Sequence, residues 1–426
     1  MKYHKERTKD MPIQELGLPE SVSIPLSQHI GKICQPRVKV GDRVLRGEQI
    51  ASCESGFFAP IHSSISGEVT SIKNMPHPSN GSCLSVQIKS DAKDEAIEDI
   101  RRKPRSQEEV DNLSKDTLGK IILDAGIVGM GGAAFPTHIK LKPPKPVDTF
   151  ILNAAECEPY LTSDYRLMIE NPEGIISGMK LMLKILGTRN VYLAIEDNKP
   201  EAIKKFKSLA KNNDFKVCVL KTVYPQGGEK QLTQSILAKE VPAGGLPFDI
   251  GVVVQNVATA FAVYEAVYLR KPLYERVVTV CGSALANPKN LRVRIGTSIR
   301  ELIAFCAPLQ QEVRKIIIGG PMMGIAQSSM DVPIIKASGG VILFSKNEVS
   351  LRQDRVCCRC ARCVDICPAR IEPAMITIAI EKEKWDMLAE FNIFDCIECG
   401  LCSYICPAKR DLVHLIRYGK ERVKVR

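Results

Sequence analysis

Two runs of cysteine near the C-terminus limit what this chain can be. The first reads Cys357-x2-Cys360-x2-Cys363-x3-Cys367-Pro368, the second Cys396-x2-Cys399-x2-Cys402-x3-Cys406-Pro407. Each has the spacing at which thiolates hold a 4Fe–4S cluster. Three closely spaced thiolates reach three corners of a cubane, and the fourth, after a longer step, points away and ligates the other cluster. Zinc knuckles would use two ligand pairs per metal and have no use for the fourth Cys-Pro. Two complete copies therefore predict two clusters and a protein that moves single electrons. Under the crossing rule Cys357, Cys360, Cys363 and Cys406 hold one cluster, and Cys396, Cys399, Cys402 and Cys367 hold the other. Cys358 is a spare thiol inside the first run and reads as a bystander.

With 426 residues the chain is too long for one core, so several domains are expected. Of its 16 cysteines, those outside the two runs are scattered and show no paired framework. Free thiols and Fe–S ligands both suit a reducing compartment, so the expected location is the cytoplasm. The opening Met1-Lys2-Tyr3-His4-Lys5-Glu6-Arg7 has no apolar core, and no signal peptide is expected. The longest apolar stretch, residues 250–267, is interrupted by Gln255, Asn256, Thr259, Tyr264 and Glu265, so no membrane span is expected. Any membrane association would be peripheral or through partners. The formal charge is +11. Its excess lies around the cysteine runs: Arg352, Arg355, Arg359, Arg362 and Arg370, then Lys409, Arg410, Arg417, Lys420, Arg422, Lys424 and Arg426. With 5% aromatic residues and no recognition module, nucleic acid is not the expected partner. An acidic electron carrier, a complex partner or an anionic leaflet fits such a patch better, against the plainer reading of a solvated basic tail.

Four domains and a linker follow from the patterning. Residues near 23–90 read as short strands punctuated by glycine, with two similar arms at 38–50 and 61–72, and suggest that 1–95 is a barrel-sandwich hybrid like that of biotinyl and lipoyl carriers. The carrier lysine is absent from the turn, so a structural or docking module is expected rather than a swinging arm. Residues 91–112, charged and followed by Pro104, read as a linker. From 113 to 275 helices alternate with apolar strand candidates at 150–153, 191–195, 215–220 and 252–254, the pattern of an α/β Rossmann-like layer with a mainly parallel sheet. Residues 276–347 read as a small β-grasp (SLBB-like) unit with strands at 276–280, 291–296 and 315–318 and a helix at 298–305. The remainder, 348–426, is the cluster domain, whose helical stretch at 373–390 favours a helical dicluster form. The fold class is thus multidomain α+β.

A glycine loop, Asp124-Ala125-Gly126-Ile127-Val128-Gly129-Met130-Gly131-Gly132-Ala133-Ala134-Phe135-Pro136-Thr137, is the second informative segment. Such a loop lets backbone N–H groups approach an anion. It is neither G-x-G-x-x-G nor a Walker loop, and alone it is more often structural. Its companions are Asn153-Ala154-Ala155-Glu156-Cys157-Glu158-Pro159, Tyr224-Pro225-Gln226-Gly227-Gly228-Glu229-Lys230 and Gln255-Asn256-Val257-Ala258-Thr259. This set resembles the flavin- and NADH-binding subunit of respiratory NADH dehydrogenase. With Pro25-Leu26-Ser27-Gln28-His29-Ile30-Gly31, the β-grasp unit and the dicluster tail, residues 10–420 resemble the RnfC family, the C components of the Rnf ion-translocating ferredoxin:NAD oxidoreductase.

The resemblance implies that Gly126, Gly129, Gly131 and Gly132 wrap the FMN phosphate and ribityl, with Lys140 nearby. It implies that Asn153 and Glu156 face the isoalloxazine or nicotinamide, and that Glu229 and Asn256 complete the pocket. Glu156 and Glu229 are the catalytic candidates. Where that family carries Asp after Asn-Ala, this chain has Ala155, which implies a more exchangeable flavin. NAD(H) exchanges a hydride whereas clusters pass one electron, so a flavin between them is a chemical need. The expected function is a peripheral electron-transfer subunit on the cytoplasmic face of the inner membrane. Its expected partners are a ferredoxin-like subunit, integral membrane subunits and NAD(H). Three alternatives stand beside it: a cobalamin-reductase-type flavoprotein of a microcompartment, an electron-transfer adaptor that binds no nucleotide, and a scaffold that docks partners through the β modules, which the dicluster runs argue against.

Overall fold

The structure, a computed structural model, describes residues 1–349 and 355–424. Arg352, Arg426 and the Lys424 side chain lie outside the described residues. The first strand, β1 (Ile13–Glu15), leaves the N-terminal unit and pairs in parallel with a remote strand, Ile13 opposite Asn290 and Glu15 opposite Arg292. The sequence assigned residues 1–95 to one domain. Their first stretch instead runs as a strap over the middle of the molecule: Tyr160 N donates to Tyr3 O at 2.7 Å, and Arg7 Nη2 to Leu285 O at 2.8 Å. No local signal marks such a strap, because its partners are remote in sequence.

Strands β2 (Ser21–Pro25), β3 (Gln35–Pro36), β4 (Arg43–Val44), β5 (Gln49–Ser52), β6 (Ile61–His62), β7 (Gly67–His77) and β8 (Gly81–Ser90) form two facing sheets, ordered β2-β8-β7-β4 and β3-β5-β6. Val22, Ile24, Val44, Ile50, Ile61, Val69, Val86 and Ile88 fill the space between them. The alternation read along both arms is the alternation of inward and outward side chains.

The stretch expected as a linker is packed. Helix α1 (Glu98–Arg101) is followed by α2 (Gln107–Asp111), which carries a Ser106 capping box. Ile100 lies against Gly47 and Val110 enters the main core. The α/β unit then runs α3 (Lys115–Asp124), α4 (Thr137–Lys140), β9 (Thr149–Ala154), α5 (Ser163–Glu170), α6 (Pro172–Leu186), β10 (Asn190–Glu196), α7 (Pro200–Ala210), β11 (Lys216–Leu220), α8 (Glu229–Leu237), β12 (Val252–Asn256) and α9 (Val257–Tyr268). Its sheet is wholly parallel, ordered β11-β10-β9-β12. The strands read as continuous apolar runs because helices cover both faces. The chain steps from β9 to β10 to β11, then returns to the other side of β9, so the order reverses between β9 and β12. In open α/β sheets, ligands bind beyond the carboxyl ends of the strands at such a point.

The β-grasp unit comprises β13 (Glu275–Cys281), β14 (Lys289–Arg294), α10 (Ile299–Phe305), β15 (Val313–Ile318), β16 (Ile325–Gln327) and β17 (Gly340–Ser345), in a sheet ordered β1-β14-β13-β17-β15-β16. The cluster unit is helical: α11 (Arg362–Asp365), α12 (Pro373–Glu381), α13 (Met387–Glu390), α14 (Leu401–Ile405) and α15 (Leu412–Lys424). The single helix expected over 373–390 is two. Glu383 turns to φ +53°, and Lys384 N donates to Ala379 O at 2.8 Å, closing α12 before α13 begins.

Helices α6 and α9 cross at backbone contact on one face of the sheet. A Cβ on Gly178 would lie 1.8 Å from the Ala260 carbonyl oxygen. Gly178→Ala is therefore expected to lower the thermal unfolding midpoint by about 5 °C or more through overpacking. Lys180→Ala, exposed on the same helix, should leave a calorimetric scan unchanged.

Candidate functional site

The crevice at the β9/β12 switch point gathers most of the residues singled out from sequence. Asn153 and Asn256 are register partners at the ends of these two strands. The Asn256 side chain caps α9, accepting from Ala258 N at 2.8 Å and Thr259 N at 3.3 Å, and donates through Nδ2 to Asp164 Oδ2 at 2.6 Å. Asn153 Nδ2 donates to Gly227 O at 2.9 Å, which ties β9 to the turn that opens α8. Glu229 begins α8 and is ion-paired to Lys140 of α4. The glycine loop lies against Asn256: a Cβ on Gly131 would be 3.0 Å from the Asn256 Cβ. Gly129 N closes the loop on Phe135 O at 2.9 Å, and Met130 N donates to Thr259 Oγ1 at 2.9 Å. Among the described residues the amides of Gly131, Gly132 and Ala133 meet no protein acceptor, and all three residues are exposed. A row of free N–H groups on a glycine turn is the donor set a phosphate takes, so these residues fit the phosphate end of a flavin nucleotide.

Two of the sequence candidates lie elsewhere. Gly126 (φ +65°) is buried, and a Cβ there would lie 2.1 Å from the Pro60 carbonyl oxygen and 2.7 Å from Lys336 Nζ. It packs the loop's root against the N-terminal unit instead of lining the crevice. Glu156 is turned inward. Its carboxylate accepts from Asp164 N at 2.7 Å and Tyr165 N at 3.3 Å, satisfying the first turn of α5. Lys5 reaches it from the strap, with Nζ 3.7 Å from Glu156 Oε2 and donating to Glu156 O at 2.6 Å and Leu161 O at 2.7 Å.

Around this loop lie groups that sequence reasoning missed. Lys199 Nζ, buried, donates to Ala155 O at 2.5 Å and to Glu196 Oε2 at 2.8 Å. Asp164 is pushed up to about 6 by burial and by the Glu156 charge. Arg276, fully buried and facing Asp164, is lowered to about 10 by desolvation. Only Glu196 and Lys199 are near one another in sequence. The rest carry no local signature.

The cysteines surround two cavities. Cys367, Cys396, Cys399 and Cys402 line an inner one, where Cys399 and Cys402 are buried, and Cys357, Cys360, Cys363 and Cys406 line an outer one, where Cys360 is exposed, with Cys358 beside them. Among the described residues no three Cys, His, Asp or Glu side chains converge on a single-ion position. Four thiols ringing a void suit a polynuclear cluster better than one zinc ion, whose thiolates would all lie about 2.3 Å from it.

The inner cavity is built into the α/β unit. Tyr224 Oη donates to Cys399 O at 2.7 Å, and Tyr224, Cys399 and Leu401 pack with Cys157, Met322 and Ile397. Glu158, from the loop after β9, accepts from Met322 N at 3.1 Å and Met323 N at 2.8 Å, and Gly400 sits under the Met322 carbonyl. The outer cavity faces solvent beside exposed Arg355, Arg359 and Arg362. The basic run is thinner than it reads. Arg410 is buried against Thr377 and Glu381, and Arg417 and Lys420 both pair with Glu398.

Known proteins match along the whole chain. Family models match for the RnfC barrel sandwich hybrid domain (residues 1–93), the Nuo51 FMN-binding domain (122–265), the SLBB domain (277–326) and the 4Fe-4S dicluster domain (350–407). The chain is 46% identical over 419 residues to the C component of the proton-translocating ferredoxin:NAD(+) oxidoreductase complex of Clostridium ljungdahlii, covering 98% of this chain and 91% of that one. It is 41% identical over 424 residues to the Na(+)-translocating counterpart of Acetobacterium woodii, covering 99% and 95%. It is 39% identical over 429 residues to the C component of the ion-translocating oxidoreductase complex of Rhodobacter capsulatus, covering 99% and 82%. A solved NAD+-reducing NiFe-hydrogenase in its H2-reduced state is similar in fold, with TM-score 0.51 at 20% identity, over 73% of this chain and 63% of that one.

The Lys5–Glu156 contact gives a test of the inward-facing carboxylate. Lys5→Met leaves that carboxylate buried without its cation and should lower stability in urea unfolding by about 3 kcal/mol. Glu156→Gln added to Lys5→Met should recover part of the loss, and simple addition of the two single effects would show that the pair is not coupled.

Proposed function

The chain belongs to the RnfC family, the C components of the ion-translocating ferredoxin:NAD(+) oxidoreductase complexes, and we propose that it passes electrons between NAD(H) and one-electron carriers by way of the β9/β12 crevice and two clusters in series. It is an electron-transfer subunit of a larger assembly, with an FMN-binding domain and a 4Fe–4S dicluster domain. The observation that carries the proposed route is the packing of Tyr224 and Cys157, at the crevice, directly on Cys399 and Leu401 of the inner cavity.

Bound FMN supplies the exchange between a two-electron hydride and single electrons. The chain's own residues do the rest. The free amides of Gly131, Gly132 and Ala133 hold the phosphate end, while Asn256 and Asn153 fix the crevice walls by spending their side chains on backbone and on Asp164. Lys140 and Glu229 stand opposite one another at its mouth, so that the lysine's charge is tempered by the carboxylate. The inner cluster takes Cys396, Cys399, Cys402 and Cys367, and the outer one Cys357, Cys360, Cys363 and Cys406. Support for this crossed assignment is that each set of four lines its own cavity.

The outer site is the exchange point with other proteins. Its exposed rim of Arg355, Arg359 and Arg362 suits an acidic ferredoxin-like subunit. Among the described residues no helix is long and apolar enough to cross a membrane. Its place is peripheral, on the cytoplasmic face, held by the integral membrane subunits of the complex.

Anaerobic NADH titration tests the order of the centres. Wild-type protein should hold about eight iron atoms per chain, and NADH should bleach both flavin and cluster absorbance. Cys360→Ala should keep about four iron atoms and still show rapid cluster reduction. Cys399→Ala should also keep about four, yet leave the remaining cluster slow to reduce. Equal rates in the two variants would refute the series arrangement. Glu229→Ala should raise the NADH concentration needed for half-bleaching about tenfold without loss of iron, by removing a polar contact at the crevice mouth. Arg359→Glu combined with Arg362→Glu should slow exchange with an acidic ferredoxin about tenfold at low ionic strength, a difference that salt erases.

A further inference from the structure

Lys336 is the cation the route described above leaves unused. It lies on the segment between β16 and β17 and is 1% exposed. Its Nζ donates to Pro60 O at 2.7 Å and to Gly126 O at 2.6 Å, so it sits directly beneath the root of the glycine loop. Among the described residues its third N–H has no acceptor, and no carboxylate pairs with it. The titratable groups that face it are neutral. Burial pushes His29 down to about 4 and His62 down to about 3, holds His138, beside His29, at about 4, and pushes the Cys34 thiol up to about 12. The groups that face the Lys336 ammonium thus bring it no negative charge. An isolated buried charge is costly, and burial accordingly lowers Lys336 itself to about 7.

The same segment is tied to the far end of the loop. Lys336 O accepts from Arg276 Nη1, Arg276 faces Asp164, and Asp164 accepts from Asn256, which packs on Gly131. Both ends of the loop are therefore fixed relative to this ammonium, and between them lie the free amides of Gly131, Gly132 and Ala133. Those amides would take an anionic group at the exposed turn of the loop, and the protein between that turn and the buried ammonium screens charge less than water does.

We infer that Lys336 is the buried counter-charge for the flavin phosphate, a positioning residue that favours the phosphorylated flavin over riboflavin without touching it. The inference rests on the reading that the glycine loop holds FMN. It divides the work of recognition: the loop's amides supply hydrogen bonds, and the charge that balances the phosphate comes from another domain, through the Gly126 carbonyl.

The experiment compares two probes, FMN and riboflavin, on cluster-loaded protein freed of flavin, with binding followed by fluorescence quenching. Lys336→Met should weaken FMN about tenfold and leave riboflavin within about twofold, because only the phosphate interacts with the missing charge. A parallel loss for both flavins, or no loss for either, overturns the inference, since a merely structural staple cannot tell the two apart. Should the variant fail to fold, wild-type protein decides. At pH 8 free FMN is already a dianion, so a buried amine brought to its charged form by the ligand takes up a proton with FMN and none with riboflavin. Equal uptake overturns the inference. Wild-type protein that binds neither flavin overturns the reading of the loop, and this inference with it.

Discussion

The contact between the inner cysteine loop and the carboxyl end of the parallel sheet is the constraint on which the rest of the molecule turns. Electrons tunnel only over short distances, so a cluster is useful to a nucleotide site only if protein packs tightly between them. Here that packing is made by the Tyr224 hydroxyl on the Cys399 carbonyl, by Gly400 under Met322, and by the Glu158 carboxylate on two consecutive amides of the β-grasp loop. Three separate units meet at one junction. A Cβ on Gly400 would sit 2.5 Å from the Met322 carbonyl oxygen, which shows how little slack the approach has.

The junction also explains an unusual density of buried charge. Lys5 and Lys199 meet Glu156 and Glu196 around the loop that follows β9, with Arg276 and Asp164 buried close by. Burying ions is expensive, and pairs of this kind add little net stability beyond a well-packed apolar core. What they supply is direction. Lys5 and Lys199 reach the loop from different elements and fix its backbone carbonyls, while Asn153 ties the strand end to Gly227 and Asn256 caps α9. The strap formed by the first residues belongs to the same device, since it delivers Lys5.

Legibility from sequence follows contact range. The cysteine runs were readable because their ligands are local: the spacing along one short turn already says which thiols can share a corner. The strands of the α/β unit were readable because burial on both faces leaves a continuous apolar run, and the two arms of the N-terminal unit because alternation survives in the sequence. Gly126 and Glu156 were harder. Both lie inside a motif whose neighbours do face the crevice, yet one is pinned by Pro60 and Lys336 and the other by the first turn of α5. A glycine or a glutamate carries no mark of which way it points. The same holds for the basic run, where Arg410, Arg417 and Lys420 look free in sequence and are paired in space.

Spacing and periodicity, which act over a few residues, were enough to read an iron–sulfur tail and a parallel α/β layer and to single out a glycine loop. Long-range packing settled the remaining questions: which cavity lies inside and which outside, how the strap and the β-grasp segment close on the crevice, and where Lys336 comes to rest. Those outcomes depend on pairs of groups separated by up to 308 residues, as in the bond from Lys336 N to Gln28. No property of either residue alone encodes such a meeting. It arises only when the separate cores have formed and their surfaces pack against one another.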